Sequence, residues 1–149
     1  MAGVGPFALP ASKKGCIVHA NDLNPESYKW LCENIRLNKV KTCFAHNLDG
    51  REMIFKSVEK LNHQRASDKP VQIFQHYLMN LPDSAIEFLD GFVGIFKDFH
   101  ELLDVPETEY PMVHCHCFSR SENPREDILE VSKKMIPSSH LISSRSIHS

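Results

Sequence analysis

Along the chain, short apolar runs alternate with stretches in which apolar residues recur at every third or fourth position, and this alternation predicts β-α-β units. Residues 16–21 read as a strand. A helix over 25–38 follows, with Pro25 in its first turn and Trp30, Leu31, Asn34, Ile35 and Leu37 near helical spacing. The pattern then predicts a strand over 41–46, a helix over 50–61, a polar surface loop over 62–70, and a strand over 71–79 that Asn80 and Pro82 bring to an end. Ser84, followed three residues later by Glu87, has the form of a capping box. It opens a helix whose apolar face is Ile86, Phe88, Leu89, Phe92, Ile95, Phe96 and Phe99. A strand over 111–118, a helix over 123–135 introduced by Asn123-Pro124, and a serine-rich end complete the order. The fold class expected is α/β, with a mainly parallel sheet covered by helices over 1–137 and a polar tail over 138–149.

The start of the chain breaks this regularity. Residues 2–8, Ala-Gly-Val-Gly-Pro-Phe-Ala, form the kind of turn that follows a strand, yet no strand precedes it. In an open α/β sheet the first strand is central, and its carboxyl end helps to build the crevice where cofactors bind. The expectation is therefore a sheet without its first strand: a fragment, an alternative product or an incomplete gene model of a longer protein.

Composition narrows the classes of function. With 149 residues, 42% hydrophobic and 24% charged, the chain suits one globular domain. No apolar run approaches the roughly 18 residues that span a bilayer, and no signal-peptide layout opens the chain, so no membrane association is expected. A formal charge of −2 argues against a surface that grips nucleic acid as a whole. Lys29, Arg36, Lys39 and Lys41 form a modest basic group, read as a solvated helix face. Cys16, Cys32, Cys43, Cys115 and Cys117 contain no Cys-x-x-Cys pair and read as reduced, buried thiols.

Candidate chemistry sits after the predicted strands. Gly3 and Gly5 suit a tight turn that lets backbone approach a ligand, although a short glycine motif also suits an ordinary turn. Asp22, after the 16–21 strand, is placed to accept both hydroxyl hydrogens of a ribose. It also suits a helix N-cap, as does Asn24 before Pro25. Asp49-Gly50 follows the next strand, where a carboxylate can accept from an adenine amino group, and Asn80-Leu81-Pro82 follows the third, where an amide and adjoining carbonyls would face the reactive end of a cofactor. Alternation along a strand puts His114 and His116 on one face. With no third ligand placed nearby, the expectation is no metal, with His and Cys as partly buried strand residues.

Five blocks carry a specific resemblance: Gly3-Val4-Gly5-Pro6-Phe7; Asn21-Asp22-Leu23-Asn24-Pro25-Glu26-Ser27 with Trp30-Leu31; Leu37-Asn38-Lys39-Val40; Asn47-Leu48-Asp49-Gly50; and Met79-Asn80-Leu81-Pro82. In this order and spacing, and continuing to about Asp127, the chain resembles the eukaryotic tRNA (guanine-N1)-methyltransferase family. The resemblance implies a Rossmann-like class I S-adenosylmethionine-dependent methyltransferase fold, incomplete for want of its first and last strands. It also implies S-adenosylmethionine as methyl donor and N1 of the guanosine 3′ of the anticodon as acceptor. Carried over by position, Gly3 and Gly5 would lie in the cofactor turn, Asp22, Leu23 and Asn24 would hold the ribose side, Asp49 and Gly50 the adenine side, and Asn80 the methionine side. The family's proposed general base lies upstream of the glycine turn, so no catalytic residue is assigned in this chain. The chain alone is expected to be inactive. The anticodon arm of tRNA is the partner implied for the longer protein, as a monomer, in the cytoplasm, mitochondrion and nucleus. Gln75 and His76 depart from the buried apolar strand expected there.

Two rival readings follow from the same residues. A truncated, non-catalytic product that binds cofactor or a partner would account for the missing base. A nicotinamide-dependent oxidoreductase would use Gly3, Gly5 and Asp22, but it leaves Asn80-Leu81-Pro82 without a role.

Overall fold

A computed structural model describes residues 1–65, 74–95 and 111–136, with backbone alone for 60–65. The chain divides into two compact units, residues 1–56 and 57–149.

In the first unit, α1 (Ala8–Lys13) is followed by β1 (Val18–Asn21), α2 (Pro25–Leu37) and β2 (Cys43–His46). β1 and β2 pair in parallel, Val18 beside Cys43 and Asn21 beside His46, so α2 is the crossover that a parallel pair requires. Both strands begin two residues later than the apolar pattern implied, because the helix before each ends in a Schellman motif that consumes chain. After α1, Gly15 takes a φ of +94° and Cys16 N–H donates to the carbonyl of Ala11 at 3.2 Å. After α2, Lys39 takes a φ of +53° and Val40 N–H donates to the carbonyl of Ile35 at 3.1 Å. Asn24 caps α2 as expected, its Oδ1 accepting from Glu26 N–H at 2.9 Å. The core is Ala8, Leu9, Ala20, Leu31 and Cys43, with Leu31 fully buried. Two of the four residues in the basic group are paired with acidic neighbours on α2: Arg36 with Glu33, and Lys29 with Glu26 at 3.8 Å.

Helix α3 (Gly50–Arg65) continues past the predicted end, so Asn62–Arg65, read as loop, are helical in backbone. In the second unit, β3 (His76–Asn80) and β4 (Met112–His116) pair in parallel, with Leu78 beside His114 and Asn80 beside His116. A 3₁₀ helix, Ala85–Phe92, lies against β4 and against α4 (Pro124–Met135). The fold is thus α/β with parallel pairing, the described strands forming two two-stranded sheets.

Three expectations are corrected here. The Ser84 side chain makes no cap hydrogen bond, and the segment winds as a 3₁₀ helix. Its entry is tightened instead by the Leu81 carbonyl, which accepts from Ser84 N–H at 3.0 Å and Ala85 N–H at 2.6 Å. The apolar face of this segment holds where it is described: Leu89 is buried and Phe92 is half-buried, packed edge-on to Tyr77 of β3 with ring centroids 5.0 Å apart, whereas Phe96 and Phe99 lie outside the described residues. Gln75 precedes the third strand and His76 begins it on an exposed face, so neither interrupts a buried run; residues 66–73 lie outside the described residues. Finally, Cys16 is exposed and only Cys43 is buried, while His114 and His116 are exposed and Cys115 half-buried. Burial and the neighbouring Cys117 push the Cys115 thiol up to about 11. The polar tail from 138 also lies outside the described residues. Among the described residues no helix is long and apolar enough to cross a membrane.

Candidate cofactor site at the ends of β1 and β2

The carboxyl ends of β1 and β2 run into two loops, and two asparagines clip these together. Asn21 Nδ2 donates to the Leu48 carbonyl at 2.9 Å, while Asn21 Oδ1 accepts from Leu48 N–H at 2.9 Å. Asn47 Nδ2 donates to the carbonyls of Asp22 at 2.7 Å and Leu23 at 2.9 Å. A primary amide can give and take at once, which a carboxylate cannot. Neither asparagine carried an assigned role in the sequence reading. The signal was present in a strand that ends in Asn and an Asn placed two residues before Asp-Gly.

The glycine turn is tied to the same strand end. Ala2 N–H donates to the Asn21 carbonyl at 2.8 Å, and Gly3 N–H donates to Asp22 Oδ2 at 2.7 Å. The Met1 amino group lies 3.2 Å from Oδ2, and Asn24 N–H donates to Oδ1 at 3.0 Å. Burial opposes the charge of Asp22, but the N–H groups of Gly3 and Asn24 and the Met1 amino group outweigh it, holding its carboxyl below the usual range. A carboxylate offers about four acceptor positions. The main chain takes one position on each oxygen, Gly3 N–H on Oδ2 and Asn24 N–H on Oδ1, so each oxygen keeps one further acceptor position. Two acceptor positions are what the two hydroxyls of a ribose would need.

The two glycines differ. Gly3 has a φ of +54°, and a Cβ built there meets nothing within 4 Å, so its side of the turn is open to an approaching ligand. Gly5 has a φ of +96° and is buried, its N–H donating to the Ala2 carbonyl and its own carbonyl accepting from Leu9 N–H. A Cβ there would stand 2.0 Å from Leu9 Cδ1 and 2.8 Å from Leu31 Cδ1. Gly5 is therefore a packing glycine that seats the turn on the core, and its assignment as a cofactor contact is corrected.

Leu23 is exposed, and Asn24 uses its Oδ1 to cap α2. Asp49 is exposed and caps α3, Oδ1 accepting from Arg51 N–H at 2.8 Å and Glu52 N–H at 3.5 Å. Its Oδ2 has no hydrogen bond among the described residues. Gly50 starts α3 and is half-buried. Gly3, Asp22, Leu23, Asn24, Asp49 and Gly50 thus belong to one sheet end of the first unit, where an open backbone turn and two carboxylate oxygens suit the hydroxyl and amino groups of a nucleoside.

In the second unit, Asn80 is the exposed last residue of β3. The carbonyls expected beside it are engaged within the chain: that of Leu81 by Ser84 and Ala85, and that of Pro82 by Phe118 N–H at 3.2 Å. The side-chain amide is the group left to meet a ligand.

A parallel β-α-β unit with a glycine turn, an acid after the first strand and a second acid after the next defines an α/β domain of the Rossmann-like class. Comparison with known proteins specifies it further. Residues 1–102 match the model of the TRM5/TYW2 methyltransferase domain. The tRNA (guanine(37)-N(1))-methyltransferase of Batrachochytrium dendrobatidis is 39% identical over 91% of this chain and 35% of its own length. Those of Schizosaccharomyces pombe and Xenopus tropicalis are each 44% identical, over 87% and 85% of this chain. Trm5b from Pyrococcus abyssi, known from a crystal structure, superposes with a TM-score of 0.59 at 29% identity, covering 91% of this chain and 32% of that one. The chain belongs to the TRM5/TYW2 methyltransferase domain family, a family of methyltransferases. It spans 35% of the Schizosaccharomyces relative's length and 26% of the Xenopus one's.

Proposed function

We propose that this chain forms the cofactor-binding part of an S-adenosylmethionine-dependent tRNA methyltransferase that modifies N1 of the guanosine 3′ of the anticodon. The observation that carries the reading is the match to relatives of that name across most of this chain. In this reading Asp22 accepts the ribose hydroxyls, the open turn at Gly3 lies beside the sugar with Leu23 and Asn24, and Asp49 Oδ2 accepts from the adenine amino group next to Gly50. Asn80 is given the methionine side from the resemblance. S-adenosylmethionine supplies an electrophilic sulfonium methyl, and guanine N1 must lose its proton as it is methylated, a step that calls for a general base. No residue of this chain is assigned that role. The partner is the anticodon arm of tRNA, met by a monomer, and the compartments are those of the family: cytoplasm, mitochondrion and nucleus.

The test is a chimera in which residues 1–136 replace the matching segment of the Schizosaccharomyces relative. Labelled methyl should pass from S-adenosylmethionine to unmodified tRNA bearing guanosine 3′ of the anticodon. A folded chimera that transfers none, beside an active parent, would sink the proposal.

A further inference from the structure

Two pairs of histidines bridge the parallel strands. His19 and His46 join β1 to β2, with Nδ1 and Nε2 3.0 Å apart, and His76 and His114 join β3 to β4 at the same distance. The first pair is half-buried, its rings nearly parallel at 13°. The second is exposed, its rings tilted by 38°. The strand register explains how the second forms. His114 lies beside Leu78 and His76 beside Met112, so the histidines are diagonal neighbours on one outward face.

From this geometry we propose that His76 Nδ1 and His114 Nε2 form a chelate for a divalent first-row transition ion of the Ni²⁺ or Cu²⁺ kind, a site distinct from the methyltransferase chemistry. The separation is that of a hydrogen bond, and it also lies within reach of one shared ion. Two nitrogens about 2.1 Å from one ion stand roughly 3.0 Å apart when they subtend a right angle and roughly 3.4 Å apart in a tetrahedron. A small turn of either ring reaches both values, and two imidazoles with water in the remaining positions suit Ni²⁺ or Cu²⁺, which bind nitrogen ligands more tightly than the earlier divalent ions of the row. Among the described residues no group of three or more histidine, cysteine or acidic side chains gathers, so water must fill the remaining positions. Exposure allows that at His76 and His114, whereas the half-buried His19 and His46 have less room for a hydrated ion. In the free chain one ring donates an N–H to the other. On binding, that proton moves to the far nitrogen of its own ring, so each facing nitrogen offers a lone pair and no net proton is lost from a neutral pair. The ion then ties β3 to β4 and stabilises whatever holds them together.

Calorimetric titration of the full chain with Ni²⁺ tests the site. Ni²⁺ is the probe because Cu²⁺ would also oxidise the exposed thiol of Cys16. One ion should bind per chain, and His76→Asn and His114→Asn should each weaken binding by at least roughly 10–100-fold, the cost of losing even an outer partner of a metal ligand. His19→Asn should leave it unchanged. Should a variant fail to fold, the wild-type protein still decides the matter, because paramagnetic Ni²⁺ should broaden the ring signals of His76 and His114 first. No binding, binding by either variant as tight as wild type, or broadening that spares these two rings would overturn the proposal.

Discussion

Gly5→Ala is expected to cost the first unit about 2–5 kcal/mol, enough to lower its melting transition sharply or abolish it. Two terms add. An L-residue in the left-handed region costs roughly 1–2 kcal/mol, and overpacking a tight core costs typically 1–3 kcal/mol. The second term applies because the new methyl would overlap Leu9, which is 8% exposed, and crowd Leu31, which is 0% exposed, so neither neighbour has open space to move into. Gly3→Ala is the internal control: its φ is also positive, but its Cβ meets nothing, so only the backbone term remains. Thermal melts followed by circular dichroism should rank wild type above Gly3→Ala, and Gly3→Ala well above Gly5→Ala. Equal melting of the two variants would mean that the core under Gly5 is looser than the packing shows.

Asp22→Ala is expected to weaken S-adenosylmethionine binding by about 1–3 kcal/mol in the Schizosaccharomyces chimera, which corresponds to roughly 5- to 150-fold in Kd. The change removes the Oδ1 acceptor, and it also frees the N–H groups of Gly3 and Asn24, which Asp22 holds at 2.7 Å and 3.0 Å. The two effects separate in Asp22→Asn, whose Oδ1 can still accept from Asn24 while its amide nitrogen cannot accept from Gly3. Calorimetry should place Asp22→Asn between wild type and Asp22→Ala. Wild-type affinity in Asp22→Ala would remove this residue from the cofactor site.

Local features of the sequence were legible where one residue type answers one backbone need. Pro25 and Asn24 marked the start of α2 because a ring with fixed φ and a short side-chain acceptor suit those places and few others. The acids after β1 and β2 were legible for a similar reason, since strand ends in a parallel sheet are where ligands meet the chain. What escaped depends on tertiary placement. Gly3 and Gly5 look alike in sequence, and only the positions of Leu9 and Leu31 show that one is open and the other packed. The Ser84 and Glu87 spacing suggested a capping box, but the bonds to the Leu81 carbonyl won, and a 3₁₀ turn replaced the α-helical start. Residues 62–65 are polar and read as loop, yet their backbone continues α3. The meeting of His76 with His114, 38 residues further on, rests on the register of their two strands, which no local pattern encodes.

If the ends of β1 and β2 hold the adenosine of S-adenosylmethionine, photo-cross-linking of its 8-azidoadenine analogue to the chimera should reach them. The azide labels what lies against the adenine ring, so mass spectrometry of the digest should find the adduct on the peptide containing Asn47, Leu48, Asp49 and Gly50. Unlabelled S-adenosylmethionine should suppress it. Label recovered only from other peptides, or label on this one that competition leaves unchanged, would contradict the account.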